Sequence, residues 1–304
     1  MNTLLYYLLC ALIYPLAYLP MWVLHRLSDF LFLIIYYLIP YRKKVVSKQI
    51  ASSFPEKSAK EVKQITREFY RHFCDIIVES IKSFAITPKE VAARHKCITP
   101  EVPKMLFEKG LSISGVSAHY NNWEWFVFSA KTYFQHEVGI VYRPLASPAF
   151  ERLVRKSRVR MGADLIPTKD VSKFYEKMLQ TPSMICLAAD QSPRNVSRSY
   201  WTSFLNHETP VYFGPEKIAK EYNCAVIFAK TRKVKRSHYE YELIVITENP
   251  RETPHGYITQ KHLSLLEEEI NENPAYWLWT HRRWKRGRPA GIELQKRFVH
   301  MHES

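Results

Sequence analysis

His119 and Glu124 stand five positions apart in the run His119-Tyr-Asn-Asn-Trp-Glu124. An imidazole and a carboxylate are the parts of a general base and its orienter. A carboxylate that holds Nδ1–H leaves Nε2 free to take a proton from a hydroxyl, and no metal is needed. The spacing sets a condition. On one continuous helix, residues five apart are rotated by about 140° and do not face each other. The pair works only if His119 lies in a turn and Glu124 in the first turns of the helix that follows. The same spacing also describes a loop histidine beside an unrelated helix-start glutamate.

The surrounding pattern meets that condition. The apolar run 111–116 reads as a buried strand that ends at Ser117, and residues 122–134 read as a helix. Beyond it, 138–142 reads as a strand closed by Arg143-Pro144, 149–161 as a strongly basic helix and 171–179 as another helix. Residues 184–188 form a buried strand ending at Asp190-Gln191. Residues 216–222 read as a helix, 225–229 as a strand, 239–246 as an antiparallel or edge strand, and 258–272 as an amphipathic helix. Upstream, 59–85 reads as a long amphipathic helix with Ser58 and Glu61 at capping-box spacing, and 89–94 as a short one. Strands alternating with helices predict an α/β fold, a mixed central sheet flanked by helices.

The composition, 46% apolar and 14% aromatic, excludes a disordered chain. The net charge of +15 calls for an anionic partner: nucleic acid, an anionic membrane surface or an acidic substrate. Five cysteines, an odd number with no CxxC pair, suit reduced thiols in a cytoplasmic setting and argue against a structural zinc site. Residues 3–24 carry no charge, and about 20 such residues suffice to cross a hydrocarbon core. A second apolar run, 30–41, is followed by Arg42, Lys43, Lys44 and Lys48. No basic stretch or small-residue cleavage site marks a secretory leader, so the expectation is a membrane anchor. Pro15 and Pro20 leave open a kinked span or a hairpin that dips into one leaflet. The positive charge after the runs predicts a cytoplasmic location for the rest. The expected organisation is an anchor at 1–41, a helical segment at 42–99 and the main domain at 100–304.

The blocks of this main domain resemble a known family. His119-Tyr-Asn-Asn-Trp-Glu124 is similar to the His-x-x-x-x-Asp/Glu motif of glycerolipid acyltransferases, and most of all to the lipid A late acyltransferases. Val141-Tyr-Arg143-Pro144, Asp190-Gln191 and Val211-Tyr-Phe213-Gly214-Pro215 resemble further blocks in the family's order. The run from Tyr276 through Trp279, His281, Arg282, Arg283 and Trp284 to Lys285 resembles the family's C-terminal signature. Asn121 departs from the glycine usual at its position.

The resemblance implies an O-acyltransferase with a glycerolipid acyltransferase-like fold, on the cytoplasmic face of the inner membrane. Its acyl donor would be a thioester of acyl carrier protein or coenzyme A. Its acceptor would be a hydroxyl of a lipid A precursor or other anionic lipid, with no cofactor and no metal. His119 would be the general base, oriented by Glu124. Arg143 would stabilise the oxyanion or hold a substrate phosphate. Arg158, within the basic helix, would grip substrate phosphate or an acidic carrier protein. Asp190 and Gln191 would orient Arg143 or bind a sugar headgroup. A lysophospholipid or amino-acid-based lysolipid is the alternative acceptor. A non-catalytic binder of anionic lipid or RNA is the reading from a different class, but no RNA-binding motif supports nucleic acid as a partner.

Overall fold

The computed structural model describes residues 2–197 and 199–297; Met1 of the expected anchor, Arg198, and residues 298–304 at the end of the expected main domain lie outside them. In chain order the elements are α1 (Asn2–Tyr18), α2 (Met21–Leu33), α3 (Lys43–Ser53), α4 (Ala59–Lys82), α5 (Pro88–Arg94), β1 (His95–Cys97), α6 (Glu101–Glu108), β2 (Ile113–Ser117), α7 (Trp123–Tyr133) and β3 (Glu137–Tyr142). There follow α8 (Pro148–Arg158), β4 (Asp164–Pro167), α9 (Val171–Met178), β5 (Ser183–Ala188), β6 (Tyr200–Phe204), β7 (His207–Val211), α10 (Gly214–Tyr222), β8 (Ala225–Lys235), β9 (His238–Thr247) and α11 (Tyr257–Glu272).

Seven strands form one mixed sheet in the order β1-β9-β8-β2-β5-β3-β4. β2 lies at its centre, parallel to β5 on one side and to β8 on the other. Within this sheet, among the described residues, the antiparallel pair is the β8–β9 hairpin, and β6 and β7 form a separate antiparallel pair. A central parallel strand is buried on both faces, and β2 shows it: Ile113, Ser114 and Val116 are all buried. The segment 42–99 is not purely helical, because β1 adds a short edge strand beside β9.

The long helix α4 begins at the expected capping box. Glu61 N donates to Ser58 Oγ at 3.3 Å and Ser58 N donates to Glu61 Oε2 at 2.8 Å. Its apolar face carries Val62, Ile65, Phe69, Cys74 and Ile76 into the core.

Pro20 separates the two apolar N-terminal helices, while Pro15 sits inside α1. One π-turn, Ile34–Leu38, prolongs α2, and Met21–Leu38 is long and apolar enough to cross a membrane. α2 is also tied to the main body. Ser28 Oγ donates to Asp75 Oδ1 at 2.7 Å, and Arg236 bridges Asp29 and Asp75 at 2.8 and 2.6 Å. The outer faces of both helices expose Leu4, Leu8, Leu12, Trp22 and Phe30.

Candidate active site

The register of the sheet builds the site. β2 and β5 run parallel with Ser117 opposite Ala188, so the second residue past each strand end falls at the same edge. Those residues are His119 and Asp190. The C-terminal ends of adjacent parallel strands are where α/β sheets gather functional side chains.

Asp190 Oδ1 lies 2.7 Å from His119 Nδ1, and its Oδ2 accepts the His119 backbone N–H at 3.1 Å. Trp277 Nε1 donates to the same Oδ2 at 2.9 Å. A carboxylate can only accept, so Nδ1 carries the proton and Nε2 keeps its lone pair. Burial opposes a charge on the imidazole, but the negative charge of Asp190, its hydrogen bond and the charge of Glu124 together raise the His119 pKa. Burial likewise opposes ionisation of Asp190, yet the imidazole and the indole and backbone N–H donors hold its carboxyl at about 2. About a fifth of the His119 side chain stays exposed. Gln191 Nε2 lies 3.4 Å from His119 Nε2, on the open side of the ring.

Glu124 does not take the orienting position that its spacing implied. Its carboxylate is spent on Arg158, whose Nη2 reaches Oε1 and Oε2 at 2.7 and 2.6 Å. The reason is the start of α7. Asn122 caps the helix, with Oδ1 accepting from Trp125 N at 3.0 Å, which puts Glu124 in the first turn facing α8. Glu124 therefore acts on the imidazole through its charge, and Asp190 does the holding. Asp190 and Gln191 correspondingly serve His119; among the described residues neither bonds to Arg143. Arg143 itself stands exposed just past β3.

Asn121 adopts a left-handed conformation at φ 51°. Asparagine tolerates that region better than most side chains, and glycine enters it freely. The side chain also contributes: Asn121 Nδ2 donates to Thr231 O at 2.7 Å, and Asn121 N donates to Tyr276 O at 3.0 Å. Asn122 Nδ2 donates to buried Glu79 at 2.6 Å. Glu79 also accepts from Ser237 and Tyr239, and burial pushes its carboxyl up to about 7 against those hydrogen bonds.

The C-terminal run lines the site instead of facing solvent as a charged tail. Leu278 N donates to His119 O at 3.0 Å, and His281 Nε2 accepts from Ser192 N at 3.3 Å. Burial keeps His281 neutral, at about 4. Arg283 is enclosed, with Nη2 donating to Pro210 O at 2.7 Å. The residues that spacing did not reveal are thus Trp277, Asn122 and Glu79. The indole of Trp277 within a basic C-terminal run was the visible signal for the first; nothing local marked the other two.

An apolar cleft of about 440 Å³ opens one side chain away from the imidazole, walled off from it by Trp123 and Leu278. Ile13, Phe73, Ile77, Phe84 and Phe150 line it, together with Trp123 and the carboxylate-bearing Glu124. Trp123 packs edge-on against His119 with ring centroids 5.2 Å apart. Cys186, on β5, is buried with its thiol pushed up to about 11, which disfavours a thiolate nucleophile. The arrangement suits direct attack by a deprotonated hydroxyl, with an apolar chain held alongside.

A family model described as bacterial lipid A biosynthesis acyltransferase matches residues 1–286. No curated protein sequence matches the chain.

Proposed function

The chain belongs to the bacterial lipid A biosynthesis acyltransferases, and from that premise we propose that His119, held by Asp190, is the general base of a direct acyl transfer. Nε2 removes the proton from an acceptor hydroxyl on a lipid A precursor. The oxygen attacks the carbonyl carbon of an acyl thioester, and the tetrahedral intermediate collapses with loss of the thiolate. The imidazolium returns its proton to that sulfur. An ester forms and a thioester breaks, so no oxidant and no external base is consumed.

The observation that carries this reading is the 2.7 Å contact between His119 Nδ1 and Asp190 Oδ1. It fixes the tautomer that exposes a basic nitrogen, one side chain away from the apolar cleft. Gln191, near Nε2, is positioned to donate to the developing oxyanion. Glu124, which lines the cleft, is paired with Arg158, and an acceptor headgroup would rest against that pair. Exposed Arg143 is suited to meet an anionic group of the acceptor or of the thioester carrier, acyl carrier protein or coenzyme A. The apolar outer faces of α1 and α2 would hold the enzyme on the inner membrane, with the site on the cytoplasmic side.

The test pairs an assay with a lipid profile. His119→Ala should lose acyl transfer from acyl thioester to lipid A precursor while melting like the wild type. A strain lacking the protein should accumulate under-acylated lipid A. Wild-type turnover in His119→Ala would refute the base, and normal lipid A with altered polar lipids would refute the acceptor.

A further inference from the structure

A second groove, of about 870 Å³, lies on the side of α4 away from the catalytic cleft. Phe73, Ile76 and Ile77 of α4 line the catalytic cleft, whereas Arg67, Arg71 and Asp75 line this one. At about 100° per residue those two sets fall on opposite faces of the helix. The other walls are α2 and the tip of the β8–β9 hairpin.

Its charge is unbalanced. Arg67, Arg71, Lys233, Lys235 and Arg236 line it against only Asp29 and Asp75. Those two carboxylates are already engaged by Arg236 and Lys233, at 2.6 to 3.5 Å. Among the described residues Arg67 and Arg71 form no salt bridge, and both are exposed. The Arg71 guanidinium lies 5.3 Å from the centre of the Phe32 ring, which holds it at the groove. The opposite wall is apolar: Phe30, Leu33 and Tyr37 line it, and all three are exposed on the helix that is long enough to cross a membrane. Free cations on one wall and an exposed apolar surface on the other match an amphiphile with an anionic head.

We propose that this groove binds the phosphate of an anionic membrane phospholipid, with Arg67 and Arg71 contacting the phosphate and the α2 wall contacting the acyl chains. A free phosphate would make no use of the apolar wall, so the lipid is the occupant. Guanidinium groups suit a phosphate through paired N–H donors. The site is separate from the one that performs acyl transfer.

The experiment uses the full chain in uncharged detergent, titrated with phosphatidylglycerol and, separately, with phosphatidylcholine and inorganic phosphate, with bound ligand counted by native mass spectrometry. Wild type should bind phosphatidylglycerol more tightly than either comparison ligand. Arg67→Gln/Arg71→Gln should weaken that binding about 30-fold, from the contribution of two cations beside an anionic headgroup. Lys60→Gln/Lys63→Gln removes equal charge from the same helix outside the groove and should weaken it about threefold or less. Melting temperature and KM for the acyl acceptor should match wild type in both pairs. Equal weakening in the two pairs, unchanged binding in the arginine pair, or phosphate binding as tight as the lipid's would overturn the site. A raised acceptor KM in the arginine pair would overturn its separateness from the acceptor site.

Discussion

Asp190, 71 positions away in sequence, closes on His119 at 2.7 Å, whereas Glu124, five positions away, faces Arg158. Sheet register, not sequence proximity, selects the partner of the imidazole. Ser117 and Ala188 sit opposite each other in adjacent parallel strands, and His119 and Asp190 follow at equal distance.

The Glu124–Arg158 pair is expected to act as a unit. Each side chain is about a fifth exposed, so solvent only partly screens the contact. Glu124→Gln and Arg158→Met should each lower kcat/KM, and the double variant should be no worse than the poorer single one. A double-mutant cycle on kcat/KM should return a coupling of about 1–2 kcal/mol. Additive losses would mean the two side chains serve separate purposes.

Asn121 should prefer glycine to alanine as a substitute. Asn121→Gly keeps the φ of 51° accessible and loses only the side-chain bond to Thr231 O. Asn121→Ala loses the same bond and adds about 1–2 kcal/mol of left-handed backbone strain. Thermal melting of both variants checks this. An alanine variant as stable as the glycine one would remove the conformational argument.

Glu79 predicts a pH-dependent component of stability. Its carboxyl sits at about 7 in the folded protein, above the ordinary glutamate value of about 4.3. A raised folded pKa gives stability that is fully present below the ordinary value and is lost as pH rises through about 7. Glu79→Gln should therefore flatten the fall in melting temperature between pH 5 and pH 8, by about 3 °C or more. Buried Glu269, pushed up to about 8, leaves a residual slope. Parallel melting curves for variant and wild type would show that Glu79 is ionised throughout.

Much of this was legible from residue pattern, and the misses have physical causes. The strand before His119 and the strand before Asp190 both announce themselves as short apolar runs ending in polar residues. Their adjacency does not, because strand order is a long-range choice that no local window contains. The hairpin of β6 and β7 was missed for a local reason. Its turn is Leu205-Asn206, both at positive φ (48° and 64°), where an Asn-Gly pair would have marked it. β4 is four residues long and too short to show a period. Asn121 stood out as a departure from glycine, and its left-handed φ explains why glycine is the usual choice. Glu124 was over-read: the carboxylate nearest in sequence was expected at Nδ1, where the structure places Asp190 instead.

The most direct test of the account is the pH–rate profile of Asp190→Asn beside wild type and Glu124→Gln. Asp190 raises the His119 pKa and fixes its tautomer, so wild-type kcat/KM should lose its acid limb at a pH above the ordinary histidine value. In Asp190→Asn the limb should move to lower pH, and the plateau should fall by about 10³–10⁴. Glu124→Gln should keep a higher plateau than Asp190→Asn. A wild-type plateau and limb in Asp190→Asn, with the large loss in Glu124→Gln instead, would contradict the His119–Asp190 pair.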